Sequence, residues 1–87
     1  MSQKAKLIMR ILNGTSDNNI QFDELCNLLL YFNFMLRTKG SHHIFYKDDI
    51  EEIINIQPKK DGNAKAYQVR HIRDIFLKYE LGGKIDA

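Results

Sequence analysis

The segment Lys39-Gly40-Ser41-His42-His43 concentrates the residue types that could do chemistry in this chain. Histidine exchanges protons near neutral pH, because its ordinary pKa is about 6.5. His42 is the candidate general base or acid. Gly40, lacking a Cβ, lets the backbone come close to a phosphate. Ser41 offers a hydroxyl donor and Lys39 a positive charge. Spacing alone favours a plainer reading, in which His42 is a solvent-exposed strand histidine. Adjacent strand residues point to opposite faces, so His43 turns toward helices or a sheet edge when His42 faces the open side.

A second group of charges lies downstream. Between residues 58 and 73 stand Lys59, Lys60, Lys65, Arg70 and Arg73 against Asp61 alone. The whole chain carries a formal net charge of only +2, so this basic stretch is local. It reads either as a polyanion-binding edge or as a solvated helix face. Arg70 and Arg73 share one helical face, and they serve phosphate contact or pair with Asp74 or a protein partner. The start of the last helix adds its dipole and free amides near Lys65.

Other chemistries lack the residues they need. Cys26 is the only cysteine, which excludes a disulfide framework and a multi-cysteine zinc site and fits a reducing cytoplasm. Cys26 reads as a small buried hydrophobe. His42 and His43 are poorly spaced to share one ion, and His71 reads as a surface histidine, so no metal requirement is expected. The expected cofactor set is empty.

Eighty-seven residues allow one domain, 1–87, with a core at about 20–81 and an N-terminal extension at 1–19. Hydrophobic residues at 44% and charged residues at 28% fit a globular chain rather than a disordered one. The apolar run 28–34 is broken by Asn33, so no membrane span is expected. Residues 1–10 lack the apolar core of a signal peptide.

Periodicity then supplies the elements that must hold the candidate residues. Ala5, Ile8, Met9, Ile11 and Leu12 predict a helix over 4–12, ended at Asn13-Gly14. A polar turn segment follows over 14–19. A second helix is expected over 22–33, with Asp23 and Glu24 in its first turn and an apolar face of Leu25, Cys26, Leu28, Leu29, Tyr31 and Phe32. Alternation predicts strands over 34–39, 42–46 and 51–57, with a short helix near 49–52 as the alternative to part of the third. Pro58 opens a loop to Lys65. Val69, Ile72, Ile75, Phe76 and Tyr79 predict a last helix over 66–79, stopped by Gly82-Gly83. The fold class is α+β: a three-stranded antiparallel sheet with helices on one face. Most aromatics belong to the core, while Tyr46 and Tyr67, beside turns, are candidates for stacking on an unpaired base.

The Gly-Ser-His-His core at 40–43, between the first two strands and after a helix with Leu28 and Leu29, resembles the HicA toxin family of bacterial toxin–antitoxin systems. The resemblance covers roughly residues 20–81. It implies a fold like the double-stranded-RNA-binding domain, α-β-β-β-α, with an extra N-terminal helix here. It implies messenger-RNA interferase activity, with the catalytic role on the first histidine after Gly-Ser, His42. It also implies a HicB-type antitoxin as partner and a cytoplasmic setting. This chain departs from the shorter members in having no histidine over 53–58.

On that reading, RNA cleavage needs a base for the ribose 2′-hydroxyl, cations for the phosphate and an acid for the leaving oxygen. His42 serves proton transfer. Lys39, Gly40, Ser41, Lys59, Lys60, Lys65, Arg70 and Arg73 would position RNA, joined by His43 if its role is not structural. The expected products are a 2′,3′-cyclic phosphate and a 5′-hydroxyl end. Two other readings stand beside it: a noncatalytic RNA-binding module that uses the same fold and basic loop, and a protein adaptor that docks through the apolar face of the first helix, 5–12.

Overall fold

The computed structural model describes residues 3–84. The outermost residues of the expected domain, 1–2 and 85–87, lie outside the described residues. Three helices and three strands follow in the order α1 (Gln3–Asn13), α2 (Phe22–Tyr31), β1 (Met35–Lys39), β2 (His42–Lys47), β3 (Ile50–Ile56) and α3 (Ala66–Lys78). The strands form one antiparallel sheet in chain order, β1-β2-β3. The expected α+β architecture is thus observed. Residues 50–56 are strand, so the alternative short helix near 49–52 is absent.

The sheet has one covered and one open face. Phe45 on β2 pairs with Ile54 on β3, and His43 pairs with Ile56. Phe45, Ile54 and Ile56 are buried. Side chains alternate along a strand, so Ile53 between them is 60% exposed. The covered face meets Phe22, Leu25, Leu28 and Leu29 of α2 and Val69, Ile72, Ile75 and Phe76 of α3 in one core. β1 is exposed at every position, including Leu36. It is an edge strand, and even Leu36, opposite the buried Phe45, is 38% exposed.

Two helix ends differ from expectation for a local reason. Asn33 and Glu80 adopt φ of +69° and +56°. These left-handed residues end α2 at Tyr31 and α3 at Lys78, before Gly82-Gly83 is reached. Gly82 instead packs closely on α1. A Cβ there would lie 3.1 Å from Leu12 and 3.3 Å from Ile8.

The extra helix is part of the core. Ala5, Leu7, Ile8 and Ile11 of α1 are buried, while Met9, expected on that face, is exposed. The apolar side of α1 is therefore occupied by its own domain, which removes the docking face that an adaptor reading requires. An ion pair fastens the junction behind it. Arg73 on α3 donates to both carboxylate oxygens of Asp17, with the shortest contact at 2.7 Å, and to the carbonyl of Ile11 at 3.3 Å. The two side chains are only 15% and 14% exposed. Gly14 gives the guanidinium room: it sits at φ +72°, and a Cβ there would lie 2.7 Å from Arg73 Nη1.

A second link joins sheet to helix at the far end. Tyr79 donates its hydroxyl to Glu52 at 2.6 Å, and Lys78 donates to the other oxygen at 2.8 Å. The Lys78 and Tyr79 hydrogen bonds draw the Glu52 carboxyl from the ordinary range down to about 2.

Two outcomes follow. Asp17→Ala strands a largely buried guanidinium, so urea denaturation should show a loss of about 3 kcal/mol; a change below about 1 kcal/mol would mean that the pair does not hold the junction. Glu52 binds its proton more weakly folded than unfolded. Its contribution is present above the ordinary carboxylate pKa and is lost as pH falls toward about 2. The Tm gap between the wild-type protein and Glu52→Gln should therefore close over that window and stay constant between pH 6 and 8.

Candidate functional site

The turn between β1 and β2 is two residues long, because Lys39 pairs with His42. Gly40 takes φ +59° there, a left-handed conformation at the first central position of a tight hairpin. Nothing would lie within 4 Å of a Cβ at Gly40, so the glycine answers to backbone conformation.

Alternation fixes what shares a face with His42. On β2 the open face carries His42, Ile44 and Tyr46. Register sets Lys39, Arg37 and Met35 of β1 opposite these three. On β3, Asn55 lies opposite Ile44, and Ile53 and Gln57 are its same-face neighbours. His42 is exposed, and its Nδ1 lies 3.0 Å from Asn55 Oδ1. Ser41 donates its hydroxyl to Gln57 Oε1 at 3.3 Å. Gln57 is held from behind: its backbone N–H donates to Oε1 of Gln68, 3.4 Å away on α3. Gln68 is 5% exposed, the single buried polar side chain among the described residues.

His43 points the other way. It is half-buried, and its ring meets Phe22 edge-on with centroids 4.9 Å apart. Its Nδ1 is buried without a hydrogen-bond partner.

The basic loop is tied down rather than loose. Antiparallel pairing brings the start of β2 beside the end of β3, so this loop leaves the sheet at the same end as His42. Its backbone is closed by Lys59 N–H donating to the Asn63 carbonyl at 2.8 Å and Gly62 N–H to the Lys59 carbonyl at 3.0 Å. Phe22 N–H, which the first turn of α2 cannot satisfy, donates to the Gly62 carbonyl at 3.0 Å. Ala64 N–H donates to the Ile20 carbonyl at 2.8 Å. Lys60 is exposed, and Lys59 lies 3.8 Å from Asp61.

The expected site residues therefore separate. Lys39, Gly40, Ser41 and His42 occupy one turn. Lys59 and Lys60 share that end of the sheet. Lys65 is the residue that precedes the first turn of α3, and Arg70 is exposed on α3. Both belong to the helix layer, behind the sheet from His42. Arg73 is a correction: it is committed to Asp17 and Ile11 and does not share an exposed face with Arg70, because the turn at Gly14 captures its guanidinium. His71 is exposed on α3. Tyr46 and Tyr67 are exposed. Burial, then the charge of Asp23, pushes the Cys26 thiol up to about 12, far from the thiolate a nucleophile needs.

Asn55, Gln57 and Gln68 are not marked by residue type or motif spacing in the sequence. Neither amide type announces chemistry by itself. The alternation of Ile54 and Ile56 does carry the signal, since it throws Asn55 and Gln57 onto the face opposite the core.

No curated protein and no solved structure matches the chain. The sequence model for the HicA toxin of bacterial toxin–antitoxin systems matches residues 22–79. That span runs from the first residue of α2 to the end of α3 and contains the His42 turn, all three strands and Gln68. The chain belongs to the HicA toxin family.

Proposed function

We propose that this toxin is an endoribonuclease that cuts messenger RNA through proton transfer at His42, and that a HicB-type antitoxin silences it by covering the same end of the sheet. The observation that carries the reading is the exposed His42 ring at the hairpin turn, with Lys39 directly opposite in the ladder and the Lys59–Lys60 loop at the same sheet end.

In this reading His42 removes the proton of a ribose 2′-hydroxyl. The 2′-oxygen then attacks the neighbouring phosphorus, and the bond to the 5′-oxygen breaks. The departing oxygen takes a proton from a second donor. The products are a 2′,3′-cyclic phosphate and a 5′-hydroxyl end. Lys39 offsets charge that grows on the phosphate oxygens, and Gly40, with no side chain, lets the backbone of the turn come close to it. No step calls on a metal ion. Lys59 and Lys60 hold the backbone of the strand beyond the cut, contacts that bind without reading sequence.

The open face favours an unpaired strand. Ile44 and Tyr46 continue from His42 along β2, and Tyr46 presents an exposed ring on which a base can stack. Such contacts are closed to bases held within an A-form duplex. The cytoplasm, where translated messages are found, is the setting this function requires.

Purified protein incubated with RNA and a chelator should give discrete cuts. His42→Ala should slow them at least 100-fold, the usual scale of a lost general base. Equal cutting by both proteins would contradict the role of His42. Absent cutting by both, with salt-sensitive RNA binding intact, would replace the enzyme with a binding module.

A further inference from the structure

We infer that Asn55 is a positioning residue that fixes which nitrogen of His42 carries the proton, so that the ring meets its substrate as a proton acceptor through Nε2. The inference rests on the ribonuclease reading for its consequence, though not for its geometry.

The geometry is a diagonal cross-strand pair. Asn55 stands opposite Ile44, one same-face position along from His42, and diagonal neighbours lie within reach of polar side chains. Asn55 Oδ1 is 3.0 Å from His42 Nδ1. A carboxamide oxygen only accepts hydrogen bonds. The contact therefore requires hydrogen on Nδ1, and in the neutral ring this leaves Nε2 bare. A histidine side chain free in water prefers the opposite form, with hydrogen on Nε2. Asn55 thus reverses the default and aims the lone pair away from β3.

The pair cannot drift, because the opposite face locks the register. Sliding β3 by one residue against β2 would expose Ile54 and Ile56 and bury Ile53 and Asn55.

The neutrality of Asn55 matters as much as its position. A carboxylate there would orient the ring and also stabilise the imidazolium. The polar groups sharing the face with His42 are Lys39 and Arg37 on β1, Ser41 in the turn, Tyr46 further along β2, Asn55 on β3 and Gln57 just beyond its end. The carboxylate of that alternation is Glu51, at the far end of β3. His42 is thus oriented by an amide, with Lys39 opposite it in the ladder.

The test uses the full chain with ¹⁵N-labelled histidine, observed by NMR at pH 8 without RNA. His42→Gln assigns the His42 signals among the three histidines. The wild-type ring should show the Nδ1–H pattern, and Asn55→Ala should move it to the Nε2–H form. A wild-type ring already in the Nε2–H form, or one unchanged by Asn55→Ala, would overturn the inference.

The kinetic arm asks whether the tautomer matters. Asn55→Ala should lower kcat about tenfold with KM nearly unchanged. Asn55→Asp should restore part of kcat while moving the acid limb of the pH–rate profile up by about one unit. A fall in KM-dependent binding alone, with the pH profile fixed in both variants, would contradict a positioning role. If the wild-type protein cuts no RNA, the ribonuclease reading fails, and the NMR result still decides whether Asn55 sets the tautomer.

Discussion

Phe45 and Ile54 face one another across β2 and β3, and neither is exposed to solvent. With Ile56 they form the part of the sheet that α2 and α3 cover. Because a strand alternates, burying these three side chains settles the opposite face as well. His42 and Asn55 are brought together by apolar residues whose side chains lie on the other face of the sheet. A substitution that loosened this pairing would reach the site without altering any polar residue in it.

The helix layer shapes the site from behind. Gln68 sits buried on α3 and receives the backbone N–H of Gln57, whose side chain in turn receives the Ser41 hydroxyl. A chain of hydrogen bonds thus runs from the first turns of α3, through the end of β3, to the hairpin turn. The N–H of Phe22 on the Gly62 carbonyl does the same for the basic loop, tying it to the start of α2. Cations on a tied loop cost less entropy to order against a polyanion than cations on a loose one. Arg73 shows the other use of a basic residue. Held by Asp17 and Ile11, it joins α3 to the segment after α1, and its charge is spent inside the fold.

Much of this was legible in the residues themselves. Periods of two and of three to four separated strands from helices, and the Gly-Ser break located the hairpin that carries His42. Side-chain commitments were not legible. The spacing of Arg70 and Arg73 suggested one shared face, yet the partner of Arg73 lies 56 residues away in sequence. The helix ends fell early because Asn33 and Glu80 accept left-handed conformations that composition alone assigns to glycine. Asn55 was invisible for a different reason. An amide has no chemistry of its own to advertise, and its role arises only when the register sets it beside an imidazole.

The central claim is that His42 directs a ribose 2′-hydroxyl onto the adjacent phosphate. Analysis of the RNA ends tests it most directly. The 3′ ends of the upstream fragments, produced by the wild-type protein, should carry 2′,3′-cyclic phosphate, and the downstream fragments should begin with a 5′-hydroxyl. Fragments ending in a 3′-hydroxyl and beginning with a 5′-phosphate would mean that water, not the ribose, is the nucleophile, and would contradict the account.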